Sequence, residues 1–255
     1  MAYRTNRNVV AQGVGSRSGH EGLVEPDSAI PTLVLGRSWL PGPGRSRFNG
    51  RSIRYVLFVP PESDSGQPLP LIVSLNGFGE NGTDGRHPLL AGIAPEVWER
   101  YQARKPFPAF VLFPQAGSGF DEKVLDDVLR RTCAHYAVDP RRLYLTGISS
   151  GASAAWLLAA TRPKLWAALV PMAGVMVHRG IAIRLHGLPI WVFHNAYDNP
   201  KQVRQAIQQL RESSQADVRL TEYDQPGHDA WTRACADDAL YEWLWRQRAP
   251  ETLDR

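Results

Sequence analysis

Long apolar runs are missing from this chain. No stretch of its 255 residues approaches the roughly eighteen consecutive apolar residues of a membrane-spanning helix, so a spanning protein is not expected. Cysteine is scarce as well. Cys133 and Cys235 both fall in amphipathic helical patterns among apolar neighbours, which suits small buried hydrophobes and argues against a disulfide framework or a metal pair. The opening MAYRTNRNVVAQGVGSRSGHEG has no apolar core of a secretory signal, and Glu21, Glu25 and Asp27 set it apart from an acid-poor transit peptide. The expected location is cytoplasmic. No internal repeat is present. The net charge of +4 comes from scattered arginine, densest at Arg45, Arg47, Arg51 and Arg54, without a recognition motif for nucleic acid. A solvated basic face is the simpler reading, and neither a nucleic-acid nor a membrane partner is expected.

What the chain does contain is enough apolar residue, 43% of the total, for one large core. Residues 1–35 read as a loose arm and 36–255 as a single catalytic domain. Strand-like and helix-like patterns alternate along that domain. Alternation at Ile53, Tyr55, Leu57 and Val59 marks a half-buried strand. The runs at 71–75, 109–114, 143–145, 167–170 and 190–193 mark strands covered on both faces, and 218–223 alternates again. Between them lie helical patterns at 89–103, 122–137, 152–158 and 201–214, and the spacing of Trp231, Cys235, Leu240, Trp243 and Leu244 predicts one closing helix over 231–246. Strands alternating with helices imply an α/β fold with a mostly parallel central sheet flanked by helices. About fifteen residues separate the fifth strand's segment, which runs on to Gly174, from the sixth's, which starts at Pro189, too few for a large cap domain, so an open site is expected.

The most informative stretch is Arg142–Trp156, RLYLTGISSGASAAW. Its pentad Gly147-Ile148-Ser149-Ser150-Gly151 fits G-x-S-x-G, with a strand before and a helix after, as a nucleophile elbow requires. The two glycines leave room for a tight turn whose apex is Ser149. The N–H of Ser150, at the start of the helix, would face an oxygen that becomes negative during acyl transfer. Five common residues in a row are weak evidence alone; the flanking pattern gives them weight. A second oxyanion donor is expected from the glycine-rich loop Asn76-Gly77-Phe78-Gly79 that follows the 71–75 strand, at the N–H of Phe78.

A serine hydroxyl needs a base, and the base a carboxylate. Among seven histidines, His228 stands on a loop after the last strand, at the end of the sheet where Ser149 is expected. His194 ends an apolar strand and reads as a hydrogen-bonded core histidine. The spacing of His178, His186 and His194 matches no metal motif. Asp198, in the loop after the 190–194 run, is the natural acid, with Asp224 and Asp229 as alternatives close to His228. The order Ser149, Asp198, His228 is that of the α/β-hydrolases, not of chymotrypsin or subtilisin.

The segments PLIVSLNGFGENGTDG, FPAFVLFPQ, VDPRRLYLTGISSGASAAW, LPIWVFHNAYDNP and RLTEYDQPGHDAWTRACADDALYEWL resemble serine esterases and predicted peptidases related to polyhydroxybutyrate depolymerases and feruloyl esterases. The resemblance spans roughly residues 50–247 and implies an α/β-hydrolase fold, with Ser149 as nucleophile, Asp198 as acid, His228 as base and an oxyanion hole from Phe78 and Ser150. Two positions depart from it: Asn76 stands where such proteins usually have histidine, and Ala152 where they usually have a second glycine.

These readings together lead to the expectation of a carboxylic ester hydrolase working through an acyl-enzyme without metal or cofactor, on a small-molecule or polymer-linked ester. A peptidase with the same triad and a non-catalytic binding protein are the alternatives. Phe120, Tyr197 and Trp231 are candidates for lining the substrate site, with core packing the alternative for each. Oligomeric state is not legible.

Overall fold

A computed structural model describes residues 32–40, 51–117, 119–176, 178–214 and 217–251. Most of the expected arm, and Arg45 and Arg47 with it, lie outside these residues. Thr32 to Leu35, placed in the arm by pattern, belong to the first strand.

Eight strands form one sheet in the order β1-β2-β4-β3-β5-β6-β7-β8. β1 (Thr32–Leu40) and β2 (Arg51–Val59) form an antiparallel pair at one edge, and β2 runs antiparallel to β4 (Phe110–Gln115). From β4 onward the sheet is parallel, through β3 (Leu69–Leu75), β5 (Val138–Ile148), β6 (Ala168–Met172), β7 (Ile190–Asn195) and β8 (Val218–Tyr223). Because these strands are parallel, the loops leaving β3, β5, β6, β7 and β8 all emerge at one end.

Side chains alternate between the faces of a strand, and the core divides accordingly. Leu71, Val73, Leu143 and Leu145 pack under α2 (Glu122–His135), α3 (Ser150–Thr161), α4 (Arg179–Arg184) and α5 (Pro200–Ser214). Ile72, Val111 and Tyr144 face the other way, under α1 (Ala94–Gln102), α6 (Trp231–Ala236) and α7 (Asp238–Arg246). β3 from residue 70 and β5 from residue 143 are buried on both faces, which explains the apolar runs there. The fold is α/β with helices on both faces. Among the described residues between β6 and β7 there is no separate cap domain: the one helix there is α4, six residues long.

Three expectations about helices need correction. The 231–246 helix is two, because the Asp237 side chain accepts from the N–H of Ala239 and starts a new helix there; a short acid bonding to its own backbone competes with continuation. The 89–103 region is a 3-10 turn (His87–Leu90) followed by α1, separated at Gly92, whose φ is +67°. Cys133 is exposed, not packed on the sheet. Thr132 takes the inward position instead, with its hydroxyl donating to the Val128 carbonyl at 2.8 Å. Cys235 is buried as expected, and burial pushes its thiol pKa far up.

Candidate active site

β5 ends at Ile148 and α3 starts at Ser150, so Ser149 must turn the chain between them in a single residue. It does so at φ 52°, ψ −119°, a conformation that costs a non-glycine residue of order 1–3 kcal/mol. Its N–H is held by the Met172 carbonyl at the end of β6, 2.9 Å away. The glycines make this turn sterically possible. A Cβ on Gly147 would strike the Gly151 carbonyl, and a Cβ on Gly151 would strike the carbonyl oxygens of Leu75 and Asn76. Gly174, in the loop after β6, is equally constrained: a Cβ there would strike the Ser149 carbonyl. The pentad pattern does not include that third glycine.

His228 follows β8 and reaches the elbow from the side. Its Nε2 lies 2.8 Å from Ser149 Oγ and its Nδ1 lies 2.6 Å from Asp198 Oδ2. Asp198 stands in the loop after β7, its N–H donating to the Asn195 carbonyl at 3.0 Å. The three residues thus form one continuous hydrogen-bonded line across the carboxyl ends of β5, β7 and β8. Among the described residues, no hydrogen bond joins either alternative acid to the histidine ring. Asp229 accepts from the Thr232 N–H at 2.9 Å and from its hydroxyl at 2.7 Å, at the start of α6. Asp224 bonds to the Tyr197 hydroxyl, which holds that phenol above its ordinary pKa.

His194, the other histidine near the acid, is buried and has its Nε2 on the backbone carbonyl of Asp198. It braces the acid loop and does not approach the serine.

The loop after β3 is pinned by amides. Asn76 is buried; its Nδ2 donates to the Gly77 carbonyl at 2.7 Å and to Asn81 Oδ1 at 3.0 Å, while its Oδ1 accepts from the Ala116 N–H at 2.9 Å. Gln115, at the end of β4, adds a bond to the Glu80 carbonyl at 3.1 Å and accepts from the Gly85 N–H at 2.5 Å. The asparagine at the position usually held by histidine therefore shapes the loop through three bonds. Phe78 begins a short 3-10 turn (Phe78–Glu80) and Ser150 begins α3. Among the described residues, neither of these N–H groups donates to a backbone acceptor. Ala152, the second departure, is fully buried.

The three aromatic candidates part company. Trp231 stands edge-on to the His228 ring, with centroids 5.5 Å apart and planes at 86°, and it is also partly buried in the core under α6 and α7. Tyr197 is 69% exposed beside the acid. Phe120 packs on the core beneath α2 to α5, and among the described residues no hydrogen bond or ring contact joins it to Ser149, Asp198 or His228. Its apolar ring is spent on the core. Phe78, 77% exposed, adds an apolar surface at the same end, and with half of the His228 side chain accessible the site is open.

Among the described residues, no group of three or more His, Cys, Asp or Glu side chains is arranged to hold a metal ion, and no helix is long and apolar enough to cross a membrane. His178 instead accepts from the Gly180 N–H at the start of α4.

No family model matches the chain, and no curated protein matches it. Solved structures do. A thermostable esterase superposes with a TM-score of 0.68 at 28% identity, over 83% of this chain and 63% of its own; the chain spans less than two thirds of that protein's length. An S-formylglutathione hydrolase from Agrobacterium tumefaciens gives 0.63 at 12% identity, over 89% of this chain and 98% of its own. An acylaminoacyl peptidase from Pyrococcus horikoshii gives 0.55 at 11% identity, over 87% of this chain and 43% of its own. A mostly parallel sheet, a strand–elbow–helix at its centre and these likenesses together assign the chain the α/β-hydrolase fold that such esterases and peptidases share.

Proposed function

We propose that the protein is a serine hydrolase that cleaves carboxylic esters through an acyl-enzyme. The observation that carries this reading is the unbroken line from Ser149 Oγ through His228 to Asp198, with donor–acceptor distances of 2.8 and 2.6 Å. In this reading His228 Nε2 takes the proton of Ser149 as its oxygen attacks the ester carbonyl carbon. Asp198 accepts the Nδ1 proton in a hydrogen bond, which holds the tautomer and stabilises the imidazolium. The tetrahedral oxyanion is received by the N–H groups of Phe78 and Ser150, each contributing about 3 kcal/mol to the transition state. The carbonyl reforms as the ester C–O bond breaks, and His228 returns its proton to the departing alcohol. Water then attacks the acyl group with His228 again as base, releasing the acid and restoring Ser149. No step calls for a metal or cofactor.

The openness of the site favours esters that bind across a surface, either small or attached to a polymer, with Phe78, Tyr197 and Trp231 offering aromatic contact. A test is to compare the wild-type protein with Ser149→Ala on p-nitrophenyl esters of graded acyl length. Turnover by the wild type, reduced about 10⁶-fold in a folded variant, is the expected result. Equal turnover by both would move the nucleophile elsewhere, and silence of the wild type on every ester would favour a binding role. The likeness to an acylaminoacyl peptidase keeps peptide bonds as a second reading. Cleavage of a peptide anilide, faster than that of any ester, would promote it.

A further inference from the structure

Asn195 is the last residue of β7 and is completely buried. A buried amide requires partners at both ends. Here the Nδ2 donates to the Gly227 carbonyl at 2.9 Å, and the Oδ1 accepts from Gln225 Nε2 at 3.1 Å. The same Gln225 nitrogen donates to the Asp229 carbonyl at 2.9 Å. Gly227 and Asp229 are the neighbours of His228 on either side. A bridge of two amides therefore grips the carbonyls of the residues before and after the proposed base and ties them to the end of the strand that leads into Asp198.

The loop is open on its outer side. Gly227 has φ +87°, and a Cβ there would touch nothing within 4 Å. His228 itself is half exposed. Polarity fixes the direction of the bridge: the Gly227 carbonyl can only accept, so the Asn195 NH₂ must face it, leaving Oδ1 for Gln225. His194, one residue earlier, bonds to the Asp198 carbonyl. The final two residues of β7 thus register the acid loop and the base loop against each other.

We propose that Asn195, acting with Gln225, is a positioning residue that holds His228 in simultaneous reach of Ser149 Oγ and Asp198. The inference rests on the reading of those three residues as a catalytic triad. A displacement of about 1 Å in such a group lowers the rate on the order of 100-fold. Asn195→Asp keeps the size and the acceptor for Gln225 but turns a carboxylate oxygen toward the Gly227 carbonyl, so it breaks the bridge at one bond.

The experiment measures kcat and KM for a p-nitrophenyl ester, and the rate of covalent inactivation by a fluorophosphonate, in wild type, Asn195→Asp, Gln225→Leu and the double variant. Melting curves are recorded for each. The expected result is a kcat lower by about 10- to 100-fold with KM changed less than about twofold. Inactivation should slow in parallel, and the acid limb of the pH–rate profile should move with it. The double variant should be no worse than the weaker single, because both substitutions break one bridge. Gln225→Leu decides the matter should Asn195→Asp fail to fold. Wild-type kcat in the folded variants, additive losses, or a change in KM alone would overturn the bridge while leaving the triad standing. A wild-type protein inert to both ester and probe would overturn the triad, and the bridge with it.

Discussion

The serine and the histidine of this site are held by opposite means. Ser149 is fixed by the backbone: a strained turn wedged between carbonyl groups, possible only because Gly147, Gly151 and Gly174 carry no side chain. His228 is fixed by side chains, through Asp198, the Asn195–Gln225 bridge and the edge of Trp231. The loop after β3 uses the second method too, through Asn76 and Gln115. The difference follows from what each group must do. A nucleophile has one position from which to attack, and a rigid turn supplies it. The proposed base must meet a serine at one ring nitrogen and a carboxylate at the other, and a loop held by a few hydrogen bonds can be trimmed to both.

Substitutions that break one kind of support should leave the signature of that kind. The largest effect falls on the side-chain-held half. Asp198→Asn should lower kcat about 10⁴-fold, because the amide favours the wrong histidine tautomer, while the melting temperature stays within a few degrees. A loss below about tenfold would mean that the histidine is oriented by another group. On the backbone-held half, Gly151→Ala forces a methyl group onto two main-chain oxygens that cannot move aside. It should cost about 3 kcal/mol of stability as well as activity, and a melting temperature equal to wild type would show that the elbow is looser than its contacts imply.

Two sites away from the chemistry serve as controls on stability alone. Asp139, near the amino end of β5, accepts from the Arg141 N–H at 2.9 Å and from Arg142 Nε at 2.5 Å. Burial raises its pKa, but those two donors outweigh it and hold the carboxyl below its usual 3.8. A depressed folded pKa means that the stabilisation is present above the unfolded value and is lost as pH falls through the folded one. Asp139→Asn should therefore cost about 1 kcal/mol at neutral pH and progressively less in acid below that range, as read from urea unfolding at several pH values; a pH-independent difference would contradict it. Tyr223→Phe should have the smallest effect. Its buried hydroxyl has no hydrogen-bond partner among the described residues and burial pushes its pKa up to about 12, whereas the Arg233 guanidinium 4.5 Å from the ring centre would find the same face on phenylalanine. A stability in urea equal to or above wild type is expected, and a loss of more than about 1 kcal/mol would show that the hydroxyl is satisfied in solution.

The same contrast governs what could be read from the sequence. Backbone constraints leave strong marks, since few residues other than glycine fit the turn at Ser149, and the alternation of buried strands with helices shows through their periodicity. The order of Ser149, Asp198 and His228 along the chain followed from loop positions after successive strands. Supports made of side chains leave weak marks. Asn195 and Gln225 look like any polar residues near loops, because an amide reveals its role only when its partners are located in space. His194 was legible as a buried histidine but not as the brace of the acid loop. The break at Asp237 was hidden because the apolar spacing continues across it, and Cys133 was placed inward because a helix face drawn from spacing alone does not distinguish Thr132 from its neighbour. Phe120 and Trp231 show the same ambiguity for aromatic rings, one packed on the core and the other packed partly on the core and edge-on to His228.

The central claim is that Ser149 becomes acylated with His228 as its base. The most direct measurement is mass-spectrometric mapping of the protein after brief reaction with a fluorophosphonate and, separately, with a slowly deacylating ester, in wild type and in His228→Ala. The account predicts a single adduct on the peptide bearing Ser149, formed orders of magnitude more slowly in the variant. An adduct on another residue, or one formed at the same rate without His228, would contradict it.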